Sequence, residues 1–168
     1  NMVATARMWM PVMIEEEPDL IIGLFHSGLG DERDMGDDEN SPLSVAMNVP
    51  GFDVVFCGHD HRQDIKEVIN SAGEKVLILD GGSRAEALMN VTVSIEKQPD
   101  GTRSPVVSGR IIPMNSLPAS ADFLKKYAPA SEKIKEYTSE VIGHSTASAT
   151  TRDAFFGPSA FVDLIHHM

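Results

Sequence analysis

Asp53-Val54-Val55-Phe56-Cys57-Gly58-His59-Asp60-His61 is the stretch on which the fold turns. Its first five residues form a short apolar run bounded by turn formers, which predicts a buried strand. Gly58 then admits a backbone turn that a side chain would obstruct. His59 and His61 follow two residues apart, on a short loop at the strand's end. Imidazole is available as a neutral donor near pH 7 and is a common ligand of zinc, iron, nickel and copper. The loop is therefore a candidate metal-binding loop.

The residues upstream repeat the theme. Leu20-Ile21-Ile22-Gly23-Leu24-Phe25 is a second buried-strand candidate, and it runs straight into His26 and the loop Ser27-Gly28-Leu29-Gly30. Between the two strands lies a short helical stretch, Ser41 to Val49. Pro42 suits its first turn, and Pro50-Gly51 its end. Strand, helix, strand in this order is the pattern of a parallel βαβ unit, whose two strands finish on one rim, where α/β ligands sit. That topology places His26, His59 and His61 on one edge. Asp60, between two of them, is a candidate to orient an imidazole from behind, or to cap a turn. Ser27 beside His26 suggests a nucleophile pair only weakly, because adjacent side chains rarely face each other productively and no carboxylate orienter is identifiable.

The remainder supplies the scaffold. Residues 2–16 carry Met2, Val3, Ala6, Met10, Met13 and Ile14 at helical spacing, with a kink expected at Pro11 and a stop before Pro18. The acidic run 31–39 fails as a calcium loop: aligning Gly36 with the invariant EF-hand glycine puts Arg33 and Met35 at ligand positions. A solvated acidic loop at the mouth of the site is the better reading. Strands are expected over 65–69 and 75–79, joined by the hairpin loop Asn70-Ser71-Ala72-Gly73-Glu74, and over 88–97 and 105–114 as an antiparallel pair. Asp80-Gly81-Gly82-Ser83-Arg84 reads as a turn whose glycines let the backbone approach a ligand or another strand, and it lacks the Gly-Lys-Ser/Thr of a P-loop. After a linker-like 113–120, Ser120 is placed to cap a helix with a kink or a break expected at Pro129. A final helical start covers 159–168. His144 reads as a surface residue, and His166 and His167 diverge as helix neighbours do, so they share no metal.

Bulk properties bound the function. A chain of 168 residues holds one domain with a sizeable core, or one domain and the edge of another. A net charge of -11 argues against a nucleic-acid polymer as partner, since phosphate binding needs cations. It leaves phosphate-ester chemistry open, because bound metal ions reverse the local sign. The single cysteine, Cys57, has no internal disulfide partner and reads as a buried structural thiol. No run is long and apolar enough to span a membrane, and no signal peptide is visible.

At Leu24-Phe25-His26-Ser27-Gly28 and Cys57-Gly58-His59-Asp60-His61 the chain resembles the calcineurin-like metallophosphoesterases, specifically the branch of 5′-nucleotidases and 2′,3′-cyclic-nucleotide 2′-phosphodiesterases. The resemblance implies an α/β fold (an α+β sandwich), here the C-terminal half of a four-layer α/β/β/α arrangement with a mixed sheet. It implies that residues 1–115 belong to the metallophosphoesterase domain, 116–145 to a connecting helix, and 146–168 to the opening of a C-terminal substrate domain. His26 and His59 would bind one divalent metal ion and His61 a second, zinc, manganese or similar, with Asp60 and Ser27 behind them. The family's Asp-x-His, bridging Asp and Asn-His pair are absent from these residues, so the general acid is expected upstream of Asn1 and the segment alone is expected to be inactive. The whole protein would hydrolyse nucleotide or other phosphate esters. The same fold also serves cyclic nucleotides and thiosulfate conjugates, and a non-catalytic binding or assembly module is the reading from a different class. A homodimer, or association with the missing half, is expected because half a sandwich exposes an apolar sheet face. By resemblance the location is periplasmic or extracellular.

Overall fold

The computed structural model describes residues 1–31, 39–99, 103–144, 146, 148–152 and 154–167. Most of the acidic loop weighed as a calcium site, residues 32–38, lies outside them, as do residues 100–102 between the last two expected strands. The chain forms two compact units, Asn1–Pro118 and Ala119–Met168.

The first unit opens with α1 (Met2–Glu15), capped by the Asn1 side chain, which accepts from the Ala4 N–H at 2.9 Å. Pro11 lies inside this helix. Of the apolar positions at helical spacing, Val3 and Met10 are buried, whereas Ile14 is exposed. β1 (Ile22–Leu24) follows, then α2 (Pro42–Asn48) and β2 (Val54–Cys57). β1 and β2 pair in parallel with Ile22 opposite Val54 and Leu24 opposite Phe56, so strand, helix and strand form the expected crossover. β3 (Gln63–Ile69) and β4 (Lys75–Gly81) complete a mixed sheet of order β1-β2-β4-β3, in which β4 lies parallel to β2 and antiparallel to β3.

One expectation is corrected. The strand foreseen over 20–25 is only three residues long and is not buried: Ile22 is 47% and Leu24 78% exposed. The cause is position. β1 has β2 as its one neighbour among the described strands, so only Gly23 turns into the core.

The sheet separates two layers. Val55, Cys57, Val76 and Ile78 face the helices and share one core with Leu43, Val45, Ala46 and Val49 of the α2 region and with Val3 and Met10 of α1. Full burial of each such aliphatic chain contributes roughly 1.5–3 kcal/mol. On the other face lies an antiparallel ribbon, β5 (Ala87–Lys97) with β6 (Arg103–Pro113). Its backbone comes so near β4 at Gly109 that a Cβ there would stand 2.8 Å from Leu77 Cδ2. Helices, mixed sheet and ribbon thus stack as an α/β sandwich.

In the second unit, α3 (Ala121–Thr138) runs through Pro129 and is capped by Ser120 Oγ, which accepts from the Phe123 N–H at 3.3 Å. None of its residues is buried. α4 (Ala160–His167) ends the described chain. No helix among the described residues is long and apolar enough to cross a membrane.

Candidate metal centre

The crossover delivers two loops to the same rim. The parallel ladder continues past β1 through the Phe25 N–H, which donates to Phe56 O at 2.9 Å. The Gly58 N–H then donates to Ser27 O at 3.1 Å, tying the loops together just beyond their strands. Gly28 is the point of closest approach: a Cβ there would lie 2.8 Å from Asp60 Cβ and 2.6 Å from Asn40 Oδ1. Asn40 Oδ1 accepts from the Gly28 N–H at 2.8 Å. Ser27 donates its hydroxyl to Glu39 O and accepts from the Ser41 N–H, so it serves the loop backbone.

His26 and His59 meet as a result. His26 Nε2 stands 3.4 Å from His59 Nδ1, with the rings edge to face at 5.3 Å between centroids. The far nitrogen of His59, Nε2, lies 2.9 Å from Glu39 Oε1. A proton on Nε2 is held there by that carboxylate, and in that tautomer the Nδ1 lone pair faces His26. His61 lines the same cavity of about 520 Å³, together with Gly81, Gly82, Ser83, Arg84 and the ends of β1 and β2. Among the described residues, no group of three or more His, Cys, Asp or Glu side chains is arranged to hold a metal ion.

The loop is strained where it carries its histidines. His59 adopts φ +154° and His61 φ +61°, conformations that side-chain-bearing residues avoid at a cost of roughly 1–3 kcal/mol each. Arg84 and Ala85, on the facing turn, are also at positive φ. Such strain persists only where surrounding contacts impose it, and here part of the support lies beneath the loop. Asp60 Oδ1 accepts from the Arg62 N–H at 3.0 Å, the turn-capping role foreseen as one of its two options. Asp60 also meets Asp80, a carboxyl only 1% exposed whose Oδ1 accepts from the Gly82 N–H at 2.9 Å. Burial pushes the Asp80 carboxyl above its ordinary range; the Gly82 hydrogen bond opposes this, and the Asp60 charge adds to it. Cys57 Sγ lies 3.7 Å from Asp80 Oδ2, and burial followed by the Asp80 charge pushes the thiol up to about 12. A thiol so placed stays protonated at neutral pH and is chemically quiet, as read from its neighbours in sequence.

Three residues of this arrangement were not singled out by sequence: Glu39, Asp80 and Arg84. Each is one charged side chain in a turn or run of polar residues, where no spacing distinguishes it. His144, His166 and His167 are exposed in the second unit.

Three comparisons bear on identity. No protein-family model matches the chain. A stretch of 62 residues is 37% identical to the 2′,3′-cyclic-nucleotide 2′-phosphodiesterase/3′-nucleotidase of Haemophilus influenzae, covering 37% of this chain and 9% of that protein. Among solved structures, the calcineurin-like phosphoesterase YfkN of Bacillus subtilis superposes with a TM-score of 0.68 at 19% identity, over 83% of this chain and 45% of that one. The 5′-nucleotidase precursor of Thermus thermophilus gives 0.65 at 16% identity, over 92% and 31%. The chain thus matches less than half the length of each relative. Its fold is that of the calcineurin-like phosphoesterases. Within that class it resembles the nucleotidase and cyclic-nucleotide phosphodiesterase branch.

Proposed function

We propose that this chain supplies three imidazoles to the two-metal centre of a hydrolase of nucleotide phosphate esters, His26 and His59 to one cation and His61 to the other. The observation that carries this reading is the 3.4 Å between His26 Nε2 and His59 Nδ1. Two nitrogens bonded at about 2.1 Å to one tetrahedral cation stand about 3.4 Å apart. The Glu39 carboxylate on the opposite nitrogen of His59 is the support that metal-bound imidazoles ordinarily have. Residues 1–115 act in this reading as the metal-binding half-domain, 116–145 as a connector, and 146–168 as the start of a substrate domain.

Two divalent ions of the zinc or manganese type would supply Lewis-acid polarisation of the phosphoryl group and an activated water. The chain's own residues hold the site in shape. Glu39 fixes the His59 tautomer, and Ser27 and Gly58 clamp the two loops. Asp60 and Asp80 brace the strained turn from below. The general acid and the remaining ligands come, in this reading, from residues upstream of Asn1. The name of the Haemophilus relative favours 2′,3′-cyclic nucleotides as a second substrate class; turnover of AMP against 2′,3′-cyclic AMP by the full-length protein decides between them. An extracytoplasmic location belongs to the same proposal.

Calorimetric titration of the purified chain with Mn²⁺ or Zn²⁺ tests the site. Binding is expected, with His26→Ala and His59→Ala each weakening one event by about 100-fold, His61→Ala sparing that event, and Glu39→Gln costing about 10- to 100-fold. Absence of binding, or indifference to all four substitutions, refutes the reading. The chain alone is expected to hydrolyse little or no AMP, and robust metal-dependent turnover would show that its ligand set is complete.

A further inference from the structure

We propose that Arg84 is an anion-binding residue of the histidine cavity, holding a non-bridging phosphoryl oxygen; the inference rests on the phosphoester reading above and extends it to a residue that nothing else assigns. Arg84 lines the same cavity of about 520 Å³ as His26, His59 and His61, and among the described residues it is the one arginine or lysine that does. It occupies a central position of the turn Ser83–Glu86, closed by the Glu86 N–H donating to Ser83 O at 3.0 Å. Both central residues, Arg84 (φ +55°) and Ala85 (φ +56°), adopt the left-handed conformation of a type I′ turn. Such turns are dominated by glycine, asparagine and aspartate, which reach that conformation freely. An arginine held there against its own backbone preference is the kind of outlier that marks a functional position.

The turn is firmly anchored. Asp80 Oδ1 accepts from the Gly82 N–H on one side, and the Met114 N–H donates to Glu86 O at 2.8 Å on the other. Among the described residues no carboxylate lies within ion-pair distance of Arg84, so its charge is not already spent. A planar guanidinium presents paired donors that match two oxygens of a phosphate, and in a chain of net charge -11 it offsets the repulsion an anionic substrate meets at the rim. An ordinary solvated turn arginine would need neither the strained backbone nor a place on this cavity.

The test is the affinity of the purified chain for inorganic phosphate, measured by calorimetry or ³¹P line broadening with and without Mn²⁺. Arg84→Gln is expected to weaken phosphate about tenfold or more, with Arg84→Lys intermediate and Mn²⁺ affinity unchanged. Arg84→Gly is expected to raise the thermal midpoint while weakening phosphate, a pairing that a purely structural residue does not give. Equal phosphate affinity in wild type and Arg84→Gln overturns the inference, as does a wild type that binds no phosphate under either condition. Failure to bind Mn²⁺ alongside Arg84-dependent phosphate binding overturns the two-metal reading and leaves this one standing.

Discussion

At the residue scale, the buried carboxyl of Asp80 makes a prediction about pH. Its unfolded value is the ordinary 3.8, and burial raises the folded value. In the window between the two, the native state holds a proton that the unfolded chain has released, so stability rises as pH falls through that window. Above it the ionised carboxylate is destabilising. Asp80→Asn keeps an oxygen to accept from Gly82 and carries no charge, so it is expected to raise the thermal midpoint at pH 7 by a few degrees and to flatten the gain on acidification. Asp53, whose carboxyl burial likewise raises, leaves a residual slope of the same sign. Melting curves across pH 4–7 read both effects, and an unchanged slope in Asp80→Asn counts against the assignment. The histidines were legible in sequence because Gly-His-x-His after an apolar run, and a third histidine after another, is a pattern. Asp80 was not. Its partners are set by how β2, the Asp60 loop and the Gly82 turn converge, which one residue's identity does not encode.

At the scale of elements, the site is an interface between two loops, and Gly28 measures how tightly they fit. Asp60 Cβ cannot retreat from a new methyl without carrying the His59-Asp60-His61 backbone with it. Gly28→Ala is therefore expected to destabilise by about 1–3 kcal/mol, the usual cost of overpacking, and to lower metal affinity by separating His26 from His59. Denaturant unfolding and metal titration on one preparation decide it; a variant as stable and as tight as wild type shows that the loops have slack. The crossover behind this contact was readable from strand, helix and strand, as were the β3–β4 hairpin and the β5–β6 ribbon, since each rests on local periodicity and turn chemistry. The length and exposure of β1 were not. Leu20 to Phe25 is as apolar as a central strand, and only the sheet order places it at an edge.

At the scale of the whole molecule, the first unit presents apolar surface on two sides. Ile22 and Leu24 are exposed on β1, and Met8, Trp9 and Val12 on α1. An exposed apolar edge strand with unpaired backbone groups invites pairing with another chain. Light scattering is expected to return a mass above the 18.2 kDa of one chain, and Leu24→Lys to bring it down. A wild type that stays monomeric at high concentration removes this expectation. The separation of 33 positions between His26 and His59 carries a further consequence. Neither loop holds the pair alone; it exists only once the parallel crossover has closed. Anything that bridges both imidazoles would bind the native state more tightly than the unfolded one, and mass action would convert that difference in affinity into fold stability. Occupancy of such a site and persistence of the fold would thus be linked through the closed crossover.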